Sequence, residues 1–340
     1  MTRRSSSVTI RDVARQAGVS VATVSRYINR NAPVSTEVAE RLNQVMTELR
    51  YVPHAAARNL ASRKTRVIGL LLNNLHNDFF VPLLNGVEAV VRQKEYNLIV
   101  ATYHANSRTA MPPPIGPHNT DGLLVFSDGL VDEDLANLNA SGFPMVLVHR
   151  TSPPSLKIPS VTVENIDITQ RLVEHLIREH GKQRILFMRG PLNQEDSNRR
   201  EMGYKSALAA NGIPFDEKLI LNGEFERDVA FQALNELLSN GERVTFDAVF
   251  SGDDDAAIGV LRALHLHGFR IPEDVAVIGF DDLGFAPFLN PPLTTVRAPT
   301  EAVGRIATER LFDLLEKNIA DEAVVLPTEI ILRRSCGCQQ

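Results

Sequence analysis

From Arg66 onward the chain carries seven short, continuous apolar runs, VIGLLL, NLIVATY, GLLVF, PMVLV, RILFM, DAVFS and VAVIGF, separated by helix-length stretches. A run of this kind leaves no face for water, so it predicts a strand buried on both sides, and the intervening helices predict crossover connections. The body is therefore expected to be α/β, with parallel sheets wrapped by helices. In such sheets ligands bind beyond the carboxyl ends of the strands. Polar residues gather at those ends here: Asn73-Asn74, Ser127-Asp128, His149-Arg150, Arg189, Asp253-Asp254-Asp255 and Asp281-Asp282. No GxGxxG follows a strand and no GxxxxGK[ST] occurs, so neither dinucleotide nor phosphate-loop chemistry is indicated. The body offers a pocket without an evident catalyst.

The residues before Arg66 read differently. Residues 1–66 hold twelve Lys/Arg against four Asp/Glu, a balance of +8, which leaves −13 for the other 274 residues of a chain whose formal net charge is −5. A basic head on an acidic body predicts that the head alone meets a polyanion. Thr9 and Asp12 suit the start of a helix, Ile10, Val13, Ala14 and Ala17 recur on one of its faces, and Gly18 stops it. Ser20 is the N-cap expected for a second helix with Val24 and Ile28 on its inner face, and a third helix from Ser35 carries Val38, Leu42, Val45, Met46 and Leu49. Two short helices joined at a glycine turn form a helix-turn-helix. Its second helix belongs in the major groove, with Arg26 forked onto guanine and Val21 and Ala22 against thymine methyls, while Thr9, Ser20, Thr23, Ser25 and Asn29 suit phosphates. Ser20 and Thr23 serving only as caps, and Arg26 as a solvated charge, is the plainer alternative.

The stretch from TIRDVARQAGVSVATVSRYINR through ASRKTRVIGLL resembles, without a gap, the N-terminus of the lactose/galactose repressor family. The resemblance implies that Pro53-His-Ala-Ala-Ala-Arg-Asn-Leu-Ala61 is a hinge helix that pairs with its twin in the minor groove. Ala57 would face the partner hinge and Leu60 would wedge between base steps. The segment is too short to be a stable helix alone. The body is similar to the family's periplasmic-binding-protein-like core through Asp78-Phe79-Phe80, Ser197-x-x-Arg200-x-x-Gly203-Tyr204, GFRIPEDVAVIGFDD and LNPPLTTVRAP. This implies two parallel-sheet subdomains crossed three times by the chain, with an effector in the cleft between them.

The organisation expected is a helix-turn-helix domain at 7–52, a hinge and linker at 53–65, and a core at 66–340. The core divides into an N-subdomain of about 66–165 and 293–325 and a C-subdomain of about 166–292 and 326–335. By position in the family pattern, Arg200 and Asp281 are the leading effector contacts. Phe79, Phe80 and Phe250 supply apolar walls, Asp253 stands where relatives often carry asparagine, and Gln194 and Asp196 precede Arg200 on one loop. Each has a plainer reading: Phe79 and Phe80 as core, Arg200 in a helix-surface ion pair, Asp254 or Asp255 as a helix cap. Two departures stand out. MPPPIGPH, Met111 to His118, replaces a helix usual between the second and third strands, since three prolines cannot continue one. Val163-Glu-Asn165-Ile-Asp167-Ile168 lacks the aspartate usual before that asparagine.

Cys336 and Cys338, the only cysteines, are too few for a disulfide framework and two ligands short of a zinc site; with no histidine near them in sequence they read as a frayed tail without a role. No apolar run approaches a membrane span and the first thirty residues lack a secretory pattern, so a cytoplasmic location is expected. The reading is a non-enzymatic, cofactor-free and metal-free homodimeric transcriptional repressor of carbohydrate genes. Its expected partners are double-stranded DNA, as a pseudo-palindromic operator, and a sugar-like effector.

Overall fold

The structure, a computed structural model, describes residues 8–29, 32–51, 64–75, 78–103, 112–239, 245–317 and 323–339. It consists of two compact units, Met1–Thr65 and Arg66–Gln340. The first holds α1 (Ile10–Ala17), α2 (Val21–Asn29) and α3 (Thr36–Glu48). The Asp12 carboxylate accepts from the Thr9 amide at 3.0 Å and the Thr9 hydroxyl at 2.6 Å, and these bonds hold it below the usual carboxylate range. Gly18 ends α1 at φ 65°, a left-handed conformation that glycine adopts without Cβ strain. The Ser20 hydroxyl accepts from the Thr23 amide at 3.1 Å and starts α2. Val13, Ala14, Ala17, Val24, Leu42 and Val45 close a small core among the three helices.

The second unit contains β1 (Val67–Leu72), α4 (Phe80–Gln93), β2 (Asn97–Thr102), β3 (Gly122–Phe126), α5 (Asp132–Ala140), β4 (Met145–Val148) and β5 (Ser160–Val163). There follow α6 (Ile166–His180), β6 (Ile185–Arg189), α7 (Glu195–Ala210), β7 (Ile220–Asn222), α8 (Arg227–Ser239), β8 (Ala248–Ser251), α9 (Asp254–Leu266) and β9 (Ala276–Ile278). The chain ends through β10 (Thr295–Arg297), α10 (Thr300–Lys317), β11 (Ala323–Leu326) and β12 (Glu329–Ile331). One parallel sheet runs β11-β5-β4-β3-β1-β2, a second runs β7-β6-β8-β9, and β10 pairs antiparallel with β12. Each of the seven apolar runs contains a strand. β2 is the exception to burial on both faces: as the edge of its sheet it alternates in exposure, with Ile99 39% exposed.

Strand membership puts the chain crossings between the two sheets at 164–165, 298–299 and 327–328, against expectations of about 165, 293 and 325. The later two move because β10 continues the second sheet's edge through bridges Ile278↔Thr294 and Asp281↔Arg297, whereas β11 pairs with β5 in the first. At the first crossing Glu164 takes over capping: its carboxylate accepts from the Asp167 and Ile168 amides at 2.8 Å each. The described part of the proline-rich stretch forms a compact turn with no helix, closed by the Thr120 hydroxyl on Gly116 O at 2.9 Å and seated by buried Ile115. The C-terminus corrects the expectation of a frayed tail. Ser335 and Cys336 are buried, and the Ser335 hydroxyl donates to Val277 O at 2.6 Å while accepting from Thr294 N at 2.8 Å. Among the described residues no helix is long and apolar enough to cross a membrane.

Candidate functional site

A cleft of about 240 Å³ opens between the two sheets of the second unit, lined on one side by Asn73, Asn74, Phe79, Phe80, Phe126 and Asp128. Gln194, Asp196, Arg200, Phe225, Asp253 and Asp281 line the other. Arg200, 3% exposed, is its central cation. Its Nε donates to Asn165 Oδ1 at 2.9 Å, one terminal nitrogen donates to Gly252 O at 2.6 Å, and the other reaches Asp281 Oδ1 at 3.5 Å. The guanidinium lies 3.6 Å from the centre of the Phe280 ring. It is thus locked rather than a helix-surface ion pair.

Gln194, Asp196 and Arg200 do not share a loop. Gln194 occupies the N-cap position of α7 without a side-chain capping bond, and Asp196 and Arg200 are one turn apart inside the helix. Asp196 accepts from Asn165 Nδ2 at 2.9 Å and bonds His149 Nδ1 at 2.6 Å, joining the two halves of the core. The Thr151 amide on Glu195 at 2.7 Å and Asn193 Nδ2 on Asp128 at 2.6 Å span the same gap. Phe79 and Phe80 meet edge to face at 5.4 Å on the cleft wall. Phe250 does not line the cleft: it is fully buried, stacked on Phe187 at 4.9 Å, because its side chain leaves β8 toward the core. Among the three aspartates, Asp253 rather than Asp254 or Asp255 is the cap of α9, accepting from Ala256 N at 2.9 Å. Asp255 instead holds Arg227, and Asp254 accepts from Thr295 Oγ1 at 2.6 Å. Arg189 pairs with Glu201 at 2.8 Å, outside the cleft. Glu224 and Phe225, at φ 53° and 58°, enter the lining without a sequence signal.

In the first unit α2 presents Ser20, Val21, Ala22 and Arg26 outward, with Val21 42% exposed, while Val24 is fully buried beneath them. Thr23 and Ser25 are half-buried and Thr9 is exposed. The Asn29 side chain, Ala57 and Leu60 lie outside the described residues.

The family description "Bacterial regulatory proteins, lacI family" matches residues 9–54, and "Periplasmic binding protein-like domain" matches residues 173–336. Catabolite control protein A of Priestia megaterium is 32% identical over 333 residues, covering 96% of this chain and 99% of that one. This chain belongs to the lacI family of bacterial regulatory proteins. The lac repressor dimer bound to operator and the anti-inducer ONPF superposes with a TM-score of 0.77 at 25% identity, covering 97% of this chain and 99% of the repressor. The complex of transcriptional regulator CelR with cellobiose gives 0.69 at 30%, covering 96% and 99%. As a lacI-family protein the chain is a transcriptional regulator with a DNA-binding helix-turn-helix and a periplasmic-binding-protein-like core.

The buried acids of this lacI-family core make its stability depend on pH. Burial pushes Asp281 up to about 8 against the pull of Arg200, and burial with Asp281 as neighbour drives Asp253 well above the carboxylate range. Burial also takes Asp254 to about 8 despite its hydrogen bonds. Such groups stabilise fully below their unfolded value of about 3.9 and lose that contribution as pH rises through the folded value. Asp196 is opposite in sign: burial alone would raise it, but His149 and Arg200 hold it low, so its contribution vanishes in acid. The melting temperature of the ligand-free protein is expected to fall as pH rises from about 6 to about 9. A scanning-fluorimetry profile that is flat or rising across that window overturns the assignment.

Proposed function

We propose that the chain is a homodimeric, cytoplasmic repressor of carbohydrate-utilisation genes, controlled by a small neutral sugar in the cleft. The observation that carries the effector class is the balance of charge in the lining. Arg200 is already engaged by Asn165, Gly252 and Asp281, while Asp128, Asp196, Asp253, Asp281, Glu224 and Glu226 contribute acceptors. An anion would find no unengaged cation among the described lining residues, whereas the hydroxyls of a polyol donate to carboxyl oxygens there as Phe79 and Phe80 cover its apolar face. The volume of about 240 Å³ favours a monosaccharide over a disaccharide. The bound sugar in the CelR structure supports the class. Calorimetric titration with neutral sugars, sugar phosphates and purines tests it: tight binding confined to anions or purines refutes it.

In the head, Arg26 is assigned to guanine, Val21 and Ala22 to thymine methyls, and Thr9, Ser20, Thr23, Ser25 and Asn29 to phosphates. Ala57 and Leu60 are assigned to paired hinges that bend the operator's centre. The lac repressor dimer on its operator supports this arrangement. Effector binding would change how the core subdomains meet and so the cost of ordering the hinges, a coupling of about 1–3 kcal/mol. Among the described residues of the cleft lining no nucleophile, base and orienting group converge as an active site requires, and turnover of the effector is not part of the proposal. Arg26→Ala is expected to cost about 1–3 kcal/mol on operator and to relax discrimination at one base pair, read by competition binding against singly substituted sites. Equal losses on operator and random duplex would remove Arg26 from base reading.

A further inference from the structure

At the far end of α6 from the cleft, His175 and His180 face the C-terminal Cys336-Gly337-Cys338. His175 Nε2 lies 3.2 Å from His180 Nε2, 3.4 Å from Cys338 Sγ and 3.8 Å from Cys336 Sγ, and Cys338 Sγ lies 3.6 Å from His180 Nε2. All four ligand atoms fall within 4.8 Å of one another. A tetrahedral zinc ion with ordinary bond lengths has ligand separations of about 3.3 Å for N···N and about 3.6 Å for N···S. Hydrogen bonding alone does not account for the convergence. One imidazole nitrogen carries either one proton or one lone pair, yet His175 Nε2 is approached by three heteroatoms.

We propose that His175, His180, Cys336 and Cys338 form a structural zinc site that clips the C-terminal tail to the end of α6. Two soft thiolates and two imidazoles are the donor set of closed, four-coordinate zinc sites. Two thiolates also neutralise the dication, so the half-buried site carries no net charge. The tail is shaped for this. Gly337 sits at φ 113°, and a Cβ there would lie 2.9 Å from His180 Nδ1, so only glycine lets the two cysteines wrap the ring. Ser335 anchors the turn to Val277 O, and the Thr294 hydroxyl lies 2.8 Å from Arg333 O and 3.1 Å from Cys336 Sγ, holding the turn from its other side. Binding displaces one proton from each thiol, so affinity falls with acid.

The test uses the full chain, stripped with a chelator under reducing conditions and titrated with Co²⁺ and then Zn²⁺. The expected result is one cobalt per chain, with intense tetrahedral d–d bands and thiolate-to-cobalt charge transfer, both erased by one equivalent of zinc. Zinc should also raise the melting temperature of the stripped protein. Cys338→Ser and His175→Gln should each abolish the bands and the zinc-dependent rise while retaining the circular dichroism and operator binding of the parent. A wild-type cobalt spectrum without thiolate charge transfer overturns the site, as do bands that survive Cys338→Ser. A chain two hydrogens lighter that takes up no metal, its cysteines joined to each other, overturns it as well.

Discussion

Replacing Arg200 by alanine is expected to abolish the effector's control of operator affinity and to destabilise the core by about 3–5 kcal/mol. The side chain is 3% exposed, so its loss leaves Asn165 Oδ1 and Gly252 O buried without their donor and removes the cation facing Asp281. Each stranded acceptor costs about 1–3 kcal/mol, and the lost contact with Phe280 adds about 2 kcal/mol when desolvated. The damage is limited because Asp281 and Asp253 already sit high, so near neutral pH they hold their protons and leave little uncompensated charge when Arg200 goes. Arg200→Lys separates charge from geometry. A lysine keeps the cation but cannot span Asn165, Gly252 and Asp281 with one planar fork, so it should recover part of the stability and little of the response. Denaturant titration gives the first quantity, and operator binding with and without effector gives the second. The head folds around its own core of Val13, Val24 and Leu42, so affinity for operator without effector should survive within a few fold. An alanine variant that retains a wild-type effector response removes the cleft from the mechanism.

How much of this was legible in the chain follows from how local each constraint is. β1, β3, β4, β6, β8 and β9 announce themselves because strands between two layers of helices must be apolar at every position. β5, interrupted by Ser160 and Thr162, and β11, with its exposed Ala323 and Val325, do not, because neither is a continuous apolar run and β11 gains its pairing from β5, some 160 positions away. The head was readable in detail since a cap, a turn glycine and a heptad-like stripe all lie within a few residues of one another. Asn73, Asn74, Asp128, Asp253 and Asp281 in the cleft lining were readable from the polar strand ends, and the rest only by position in the family pattern. Even then Phe250 was misplaced, because an aromatic at a strand's end faces either the core or the cleft and the run does not say which. DDD at 253–255 leaves the choice of cap open, and only the backbone at Asp253, φ −149° and ψ 172°, decides it. The His175, His180, Cys336 and Cys338 group was invisible for the same reason as β11: its halves meet only in three dimensions.

Gly86→Ala is expected to produce a destabilisation comparable to that of Arg200→Ala, by the opposite route of adding one methyl group. A Cβ at Gly86 would fall 2.0 Å from Glu301 O and 2.8 Å from Arg305 N, which are backbone atoms of α10 and cannot rotate aside. The contact is reciprocal, since a Cβ at Gly304 on α10 would fall 2.3 Å from Leu83 O on α4. The two helices therefore touch backbone to backbone, and a methyl group between them must push them apart along their length. Overpacking of this kind costs about 1–3 kcal/mol when side chains can yield and more when they cannot, so a loss of about 3 kcal/mol or above is expected by denaturant titration. The consequence reaches the ligand, because α4 begins at Phe80, whose ring forms the cleft wall with Phe79 and Phe126. Effector affinity should fall in the same variant while head-only properties do not change. Gly259→Ala supplies the comparison from the second subdomain, where a Cβ would lie 2.0 Å from Arg227 O. Its cost should be similar in size, but it should leave the Phe79 and Phe80 wall in place. If Gly86→Ala folds with parental stability, the close approach of α4 and α10 is wrong, and the cleft wall they position is wrong with it.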